Sequence, residues 1–330
     1  MQTQTQPQTH FQPAQGAQGS GFFLSRDELA QFHTRGFLGP YTLFEPDEMK
    51  AHWKRERLQL FDRSKVVYPD APPGSGVYDY DRHLDNSFFA DLVCRPEVVH
   101  RMASILGPDV ICWRSEFFPK YPGDEGTDWH QADTFGGGDG VPHVVWPNGS
   151  DFGGALTMWI ALTDATEEMG CMQFIPGTQR TMYYDESKGM HYDPNRVNKK
   201  EVNGILRGFF GYDWREIQVD PDWEPDESKA VSVPCKAGQF LVFWSTLMHA
   251  SLPHLGKTRD MRMGFASRYV PSSVTIYEAM RETGQVTELG GSFSLENFGT
   301  ILVSGKDEHG HNRVRTHTTR GKPFINANPR

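Results

Sequence analysis

Val110-Ile111-Cys112-Trp113-Arg114-Ser115-Glu116-Phe117-Phe118 is dominated by β-branched and aromatic residues, and it marks the point where the chain changes character. Four more short runs of the same kind follow, Gly154 to Leu162, Gly170 to Ile175, Gly238 to Trp244 and Arg262 to Val270, each bounded by Gly or Pro. Runs of this length and composition suit the half-buried surface of strands. Pro176-Gly177 and Pro253 supply turns where strands end. The reading is a mainly β protein of double-stranded β-helix (jelly-roll, cupin-like) type, with helices packed outside the sheets.

The helices are expected upstream. Ser25-Arg26-Asp27-Glu28 has the spacing of a capping box, so a helix runs from about Ser25 to Arg35 and is closed by Gly36. Pro46 opens a second, with Met49, Trp53 and Leu60 as an intermittent apolar stripe. A third spans Pro96 to Leu106, with Val98, Met102 and Ile105 on one face and Gly107-Pro108 as its stop. Residues 1–21, rich in Gln, Thr, Pro and Gly, read as a disordered tail, and residues 22–330 as one domain. The polar and aromatic interval 183–234 is too long for an ordinary connection and reads as a lid-like insert.

Composition narrows the function. Lys and Arg number 33 against 42 Asp and Glu, and the net charge of -9 opposes capture of a phosphate backbone, so no nucleic-acid partner is expected. Cys94, Cys112, Cys171 and Cys235 lie too far apart for a Cys-x-x-Cys zinc pair or a disulfide framework. The start lacks the cationic and apolar pattern of a signal peptide, and no apolar run could span a bilayer. A soluble cytoplasmic protein with no membrane partner is expected.

The stretch that carries chemistry is Asp128-Trp129-His130-Gln131-Ala132-Asp133, paired with His249. A facial iron site takes two imidazoles and usually one carboxylate, leaving adjacent positions open. In an extended segment residues i and i+2 project to the same side, so the neighbour of His130 that faces a metal is Ala132 and not Asp133. The position of the carboxylate is thus held by a methyl group. Either histidine alone, among 13 in the chain, would pass for a structural residue. Arg262, thirteen residues past His249 and on a following strand, changes the balance, because a planar guanidinium can grip a carboxylate through two hydrogen bonds.

The segments Glu116 to Asp124, Thr127 to Phe135, Gly170 to Gln179 and Met261 to Pro271 resemble the aminoacyl-carrier-protein halogenases, a branch of the phytanoyl-CoA dioxygenase superfamily that includes threonine and aminobutyrate chlorinases. The likeness extends from roughly Phe22 to Phe324, and Ala132 stands where that branch replaces the superfamily's Asp. The resemblance implies His130 and His249 on iron(II), and Arg262, Thr127 and Trp159 on 2-oxoglutarate. It implies Ala132, Arg268 and Glu116 around a chloride ion, and Phe118, Phe135 and Phe210 as apolar walls of the substrate pocket. For Trp159 and the phenylalanines core packing is the alternative, and for Arg268 a surface ion pair.

With two neutral imidazoles and a dianionic cosubstrate the metal lacks the monoanion that Asp would supply, and chloride restores it. The resemblance further implies dioxygen as oxidant and, as partner, an amino acid tethered by a thioester to the phosphopantetheine arm of a carrier protein. Arg313, Arg315, Arg320 and Lys322 could meet an acidic carrier or form a solvated tail. Two other functions are compatible with the residues. One is a hydroxylase in which water or Asp133 completes the iron site. The other is a non-catalytic metal-binding jelly roll, which would leave Arg262 without purpose.

Overall fold

A computed structural model of the protein describes residues 21–150, 153–195, 198–202 and 205–328, so the expected amino-terminal tail, Gly21 apart, lies outside the described residues. Helix α1 (Arg26–Arg35) starts on the expected capping box: the Glu28 amide donates to Ser25 Oγ at 3.3 Å, and the Ser25 amide donates to the Glu28 carboxylate at 2.8 Å. It ends at Gly36, whose φ of 82° is left-handed and free of the Cβ clash that other residues meet there. Helix α2 (Pro46–Gln59) buries Met49 and Trp53, but its third buried position is Glu56, while Leu60 caps the helix half-buried. Glu56 tolerates burial because Asn86 Nδ2 and Arg55 Nε donate to its carboxylate at 3.2 and 2.7 Å. Helix α3 (Ser87–Val93), not anticipated, is capped by the same Asn86, whose Oδ1 accepts the amides of Phe88 and Phe89. Helix α4 (Pro96–Leu106) buries Val98, Met102 and Ile105 as its spacing required.

The strands form two six-stranded sheets. The major sheet has the order β1 (Phe37–Thr42), β10 (Gln239–Trp244), β5 (Leu156–Ala161), β12 (Arg262–Pro271), β2 (Val110–Lys120), β16 (Ile301–Ser304). The minor sheet has the order β7 (Asn198–Val202), β8 (Ile205–Gly208), β3 (Gly126–His130), β11 (His249–Ser251), β6 (Met172–Phe174), β9 (Val231–Val233). Two short pairs, β4 (Val144–Val145) with β13 (Thr275–Ile276) and β14 (Gln285–Glu288) with β15 (Gly291–Ser294), complete the set. Neighbours pair antiparallel except β3 with β8. Helix α4 packs on β2, β5, β12 and β16. Phe174 of the minor sheet stacks on Phe37 of the major sheet at 4.6 Å and meets Phe243 at 5.0 Å, which joins the two inner faces. This is the mainly β jelly roll with external helices that the strand pattern implied.

The segment 183–234 is woven into the minor sheet through β7, β8 and β9. Its Tyr184, Met190, Tyr212, Trp214 and Ile217 form a second apolar cluster with Trp129, Ile175, Met248 and Ala250. Arg207, on β8, donates to the carbonyls of Thr127 and Ser251 at 3.2 and 3.1 Å and to Gln173 Oε1 at 2.8 Å, tying three strands to this segment. The basic carboxy-terminal stretch is engaged within the chain and is not a free tail. Arg320 pairs with Asp62 at 2.9 Å and Lys322 with Asp91, while Arg313 and Arg315 donate to the carbonyls of Glu296 and Asn297. All four cysteines are free and buried. No helix among the described residues is long and apolar enough to cross a membrane.

Close packing under the site is set by Gly264 on β12, where an added Cβ would lie 2.3 Å from Trp159 Cζ2 and 2.6 Å from its Nε1. Gly264→Ala must therefore displace the indole, and overpacking of this kind costs roughly 1–3 kcal/mol. Urea unfolding should show that loss, together with altered tryptophan emission in the folded state.

Candidate active site

Strands β3 and β11 pair in a register that sets His130 opposite His249. Their ring centroids are 4.0 Å apart with planes inclined at 50°. Each ring is fixed from behind, His130 Nδ1 lying 2.8 Å from the carbonyl of Asp128 and His249 Nδ1 2.7 Å from that of Leu247. A carbonyl oxygen only accepts, so each Nδ1 carries the proton and each Nε2 keeps its lone pair. Burial lowers both pKa values, that of His249 to about 4, which keeps the pair neutral. Two fixed neutral imidazoles with free Nε2 atoms are metal donors of the oxygenase kind.

The alternation expected after His130 continues past the end of the strand. Gln131 turns away into the protein, its Nε2 donating to the carbonyls of Thr246 and Thr181 at 2.6 and 2.9 Å and its Oε1 accepting the Tyr183 amide at 3.0 Å. Ala132 turns back and lines the cavity. Its amide donates to the Ser245 carbonyl at 2.8 Å and its carbonyl accepts Ser245 Oγ at 2.6 Å. Asp133 points away again, so close to Gly153 that a Cβ there would lie 1.8 Å from Asp133 Oδ1. Among the described residues no group of three or more His, Cys, Asp or Glu side chains could hold a metal. The third ligand position beside the two histidines faces the Ala132 methyl.

A cavity of about 620 Å³ opens from this point and is lined by all eleven residues singled out from sequence. At one end is Arg262, 3% exposed. It donates to the Phe118 carbonyl at 3.0 Å and to Ser251 Oγ at 3.4 Å, and its Nε has no partner. No described carboxylate lies within ion-pairing distance of it, and burial lowers its pKa to about 10. Lys120 stands opposite Arg262 in the strand register and donates to the Glu125 carbonyl. Burial, and then the neighbouring Arg262, push the Lys120 amine down to about 7. Trp159 lies 5.6 Å below the Arg262 guanidinium, and Thr127 Oγ1 accepts from Ser251 Oγ at 2.9 Å. Two buried cations with no ion pair of their own among the described residues, near Asp124 and Glu125 and beside hydroxyls and an indole, suit an anionic ligand.

Toward the other end the charges are paired. Arg268 is in close contact with Glu116, lies 3.4 Å from Thr157 Oγ1 and stacks over Phe135 at 5.1 Å. Arg114, 1% exposed, reaches Glu116 at 3.7 Å and Glu288 at 3.0 Å. Phe118 meets Phe210 at 6.0 Å, and Phe210, 46% exposed, lines the cavity at its rim. Phe135 stands edge-on to Trp113 at 5.2 Å.

Sequence reasoning missed Lys120, Arg114, Glu186 and Glu288. The first two had a signal: Arg114, Glu116, Phe118 and Lys120 follow one another at period two on β2 and all line the cavity. Glu186 and Glu288 arrive from distant segments and had none. Glu186 Oε2 accepts the amides of Asp133, Thr134 and Phe135 and the Thr134 hydroxyl, while burial outweighs these bonds and raises its carboxyl to about 7.

His130→Ala and His249→Ala should each weaken divalent-metal binding on the order of 100-fold or more, since a two-histidine site has no spare protein ligand. Calorimetric titration with nickel(II), an unreactive probe, reads this directly.

By sequence, no curated protein matches the chain. Among solved structures it is similar to CytC3 with Fe(II) and alpha-ketoglutarate, at 39% identity over 94% of this chain and 98% of that one, with a TM-score of 0.74. A second CytC3 structure gives 41% identity over the same shares and a TM-score of 0.72. The apo form of the non-haem monooxygenase ThoJ, at 21% identity over 91% of this chain and 90% of that one and a TM-score of 0.59, shares the fold. The profile of the phytanoyl-CoA dioxygenase family matches residues 32–264, which hold both histidines, Ala132 and Arg262, and the chain belongs to that family of dioxygenase-type enzymes.

Proposed function

We propose that this protein chlorinates an unactivated aliphatic carbon of an amino acid held as a thioester on the phosphopantetheine arm of a carrier protein, in natural-product biosynthesis. It would use iron(II), 2-oxoglutarate, dioxygen and chloride. The observation that carries the reading is the Ala132 methyl, which faces the cavity beside two metal-type histidines where an oxygenase has a carboxylate. The similarity to CytC3 with Fe(II) and alpha-ketoglutarate supports the metal and the cosubstrate. Asp133, turned toward Gly153, is poorly placed to supply the missing acid, which weighs against the hydroxylase alternative.

Iron(II) with 2-oxoglutarate supplies activation of dioxygen and removal of a substrate hydrogen. The chain's residues bind and orient. His130 and His249 offer Nε2, and the carbonyls of Asp128 and Leu247 hold the rings in the required tautomer. Arg262 and Lys120 neutralise the distal carboxylate of 2-oxoglutarate, with Thr127 and Trp159 alongside. Ala132 leaves room for chloride, and Arg268, held by Glu116 and Thr157, keeps an unpartnered Nε–H donor on that side of the cavity. Phe118 and Phe135 exclude water from the region where the substrate carbon must sit nearer the halide than the oxygen ligand.

A free amino acid would bring an uncompensated carboxylate past these aromatic groups, at a cost of several kcal/mol. A thioester removes that charge, and the arm raises the local concentration once the carrier has bound. The decisive assay compares aminoacyl-carrier protein with the free amino acid at matched concentration, scoring chlorinated amino acid after thioester release. Chlorination of the tethered form alone is expected. Equal turnover of both would defeat the carrier reading, and hydroxylated product at saturating chloride would defeat the halogenase reading.

Two substitutions and a pH profile follow. Ala132→Asp fills the halide position with an anchored anion and should abolish chlorinated product by mass spectrometry, while unchanged product would remove Ala132 from the mechanism. Arg262→Lys loses at least one charged hydrogen bond, which should cost roughly 1.5–3 kcal/mol of 2-oxoglutarate affinity when the charge-transfer band is titrated. Lys120, whose amine burial pushes down to about 7, must take up a proton to face the dianion above that pH. Affinity for 2-oxoglutarate should therefore fall as pH rises above about 7, by up to about tenfold per unit, and Lys120→Met should flatten the profile.

A further inference from the structure

Immediately after Ala132, three successive main-chain N–H groups converge on one point. The amides of Asp133, Thr134 and Phe135 all donate to Oε2 of Glu186, the first and third at 3.0 and 3.2 Å, and Thr134 Oγ1 adds a fourth donor at 2.9 Å. The left-handed φ of 59° at Phe135 helps to shape this concavity. Consecutive amides arranged in this way make an anion-binding nest. Here the nest is filled by a buried carboxylate from the 183–234 segment.

Two consequences bear on the neighbouring residue. The Ala132 backbone is bonded on one side to the Ser245 carbonyl and hydroxyl and runs on the other into the ribbon that Glu186 holds, so both of its neighbours are tied down. The nest starts at the residue after Ala132, has the donors to take a small anion, and is occupied by a tethered carboxylate. The same ribbon is tied to the same segment a second time, through Gln131 and the amide of Tyr183. The halide position is thus completed by a residue more than fifty positions away in sequence.

We infer that Glu186 is the positioning residue of the halide position, holding the 132–135 ribbon in place and keeping its amide donors from diverting chloride. The inference rests on the chlorination reading above. Removal of the carboxylate frees the three amides, lets the ribbon and the Ala132 methyl shift, and offers chloride a second resting place away from the metal. Cosubstrate binding, which depends on Arg262 and Lys120 at the other end of the cavity, is untouched.

The test uses the full-length protein with iron(II) and 2-oxoglutarate under anaerobic conditions, in wild-type, Glu186→Gln and Glu186→Ala forms. Chloride is titrated against the charge-transfer band, and 2-oxoglutarate is titrated separately in chloride-free buffer. Glu186→Ala should weaken chloride binding about 10-fold or more, and Glu186→Gln about 3-fold, because an amide oxygen still accepts but carries no charge. Affinity for 2-oxoglutarate should stay within about 2-fold of wild type. In the metal-free protein, hydrogen exchange at the amides of 133–135 should quicken in Glu186→Ala while that of β11 keeps its wild-type rate. Unchanged chloride affinity in both variants overturns the inference, and so does a parallel loss of chloride and 2-oxoglutarate affinity, which would mark a merely structural residue. If Glu186→Ala does not fold, the near-isosteric Glu186→Gln decides. A wild-type spectrum indifferent to chloride removes the chlorination reading itself, whereas a wild-type response with unaltered variants removes only the role of Glu186.

Discussion

Everything at the centre of this molecule depends on one cross-strand pair, His130 on β3 facing His249 on β11. Both strands are short, and each histidine is a donor of fixed orientation only because the carbonyl two residues back accepts a hydrogen bond from its Nδ1–H. The two-sheet architecture serves to hold that register. The major sheet supplies the charged floor through β2 and β12, the minor sheet supplies the imidazoles, and the Phe37, Phe174 and Phe243 rings lock one to the other. A one-residue slip of β11 against β3 would turn His249 to the opposite face and dismantle the pair.

Electrostatics divides the cavity. One end holds Arg262 and Lys120, neither of them ion-paired among the described residues, with Asp124 and Glu125 as the acids that act on them and with burial pushing the Lys120 amine down to about 7. The other end holds Arg268, Glu116, Arg114 and Glu288 as a chain of ion pairs whose charges cancel. A carboxylate entering the cavity finds unpaired cations only at the first end, while the ion pairs at the second hold their side chains still. β2 connects the two, since Arg114, Glu116, Phe118 and Lys120 mark successive steps along one of its faces.

Much of this was legible in the residues. The capping box at Ser25, the Pro46 and Pro96 starts and the five apolar strand runs report local physics, and each appears where its spacing required. The alternation at His130, Gln131, Ala132 and Asp133 was legible for the same reason, because strand periodicity acts over two residues. Helix α3 was missed because its only start signal is a single Asn, and the stripe on α2 was misjudged at Leu60 because Asn86, distant in sequence, satisfies Glu56. Glu186 and Glu288 could not be seen at all, since their partners lie across the fold and nothing local marks them. The carboxy-terminal cations looked like a tail because their partners, Asp62 and Asp91 among them, also lie far away in sequence.

The four cysteines bear on durability. A protein of the dioxygenase type handles a substrate that attacks sulfur, and the vulnerable species is the thiolate. Burial pushes the thiols of Cys94, Cys171 and Cys235 up to about 12 and raises that of Cys112 well above the ordinary thiol value. At neutral pH the ionised fraction is then on the order of one part in 10⁵ for the first three. The fold thus keeps its thiols protonated within a few strands of a centre of the oxygenase type, and the sulfur left open to oxidation there is that of the methionines, Met172 and Met190, which line the cavity.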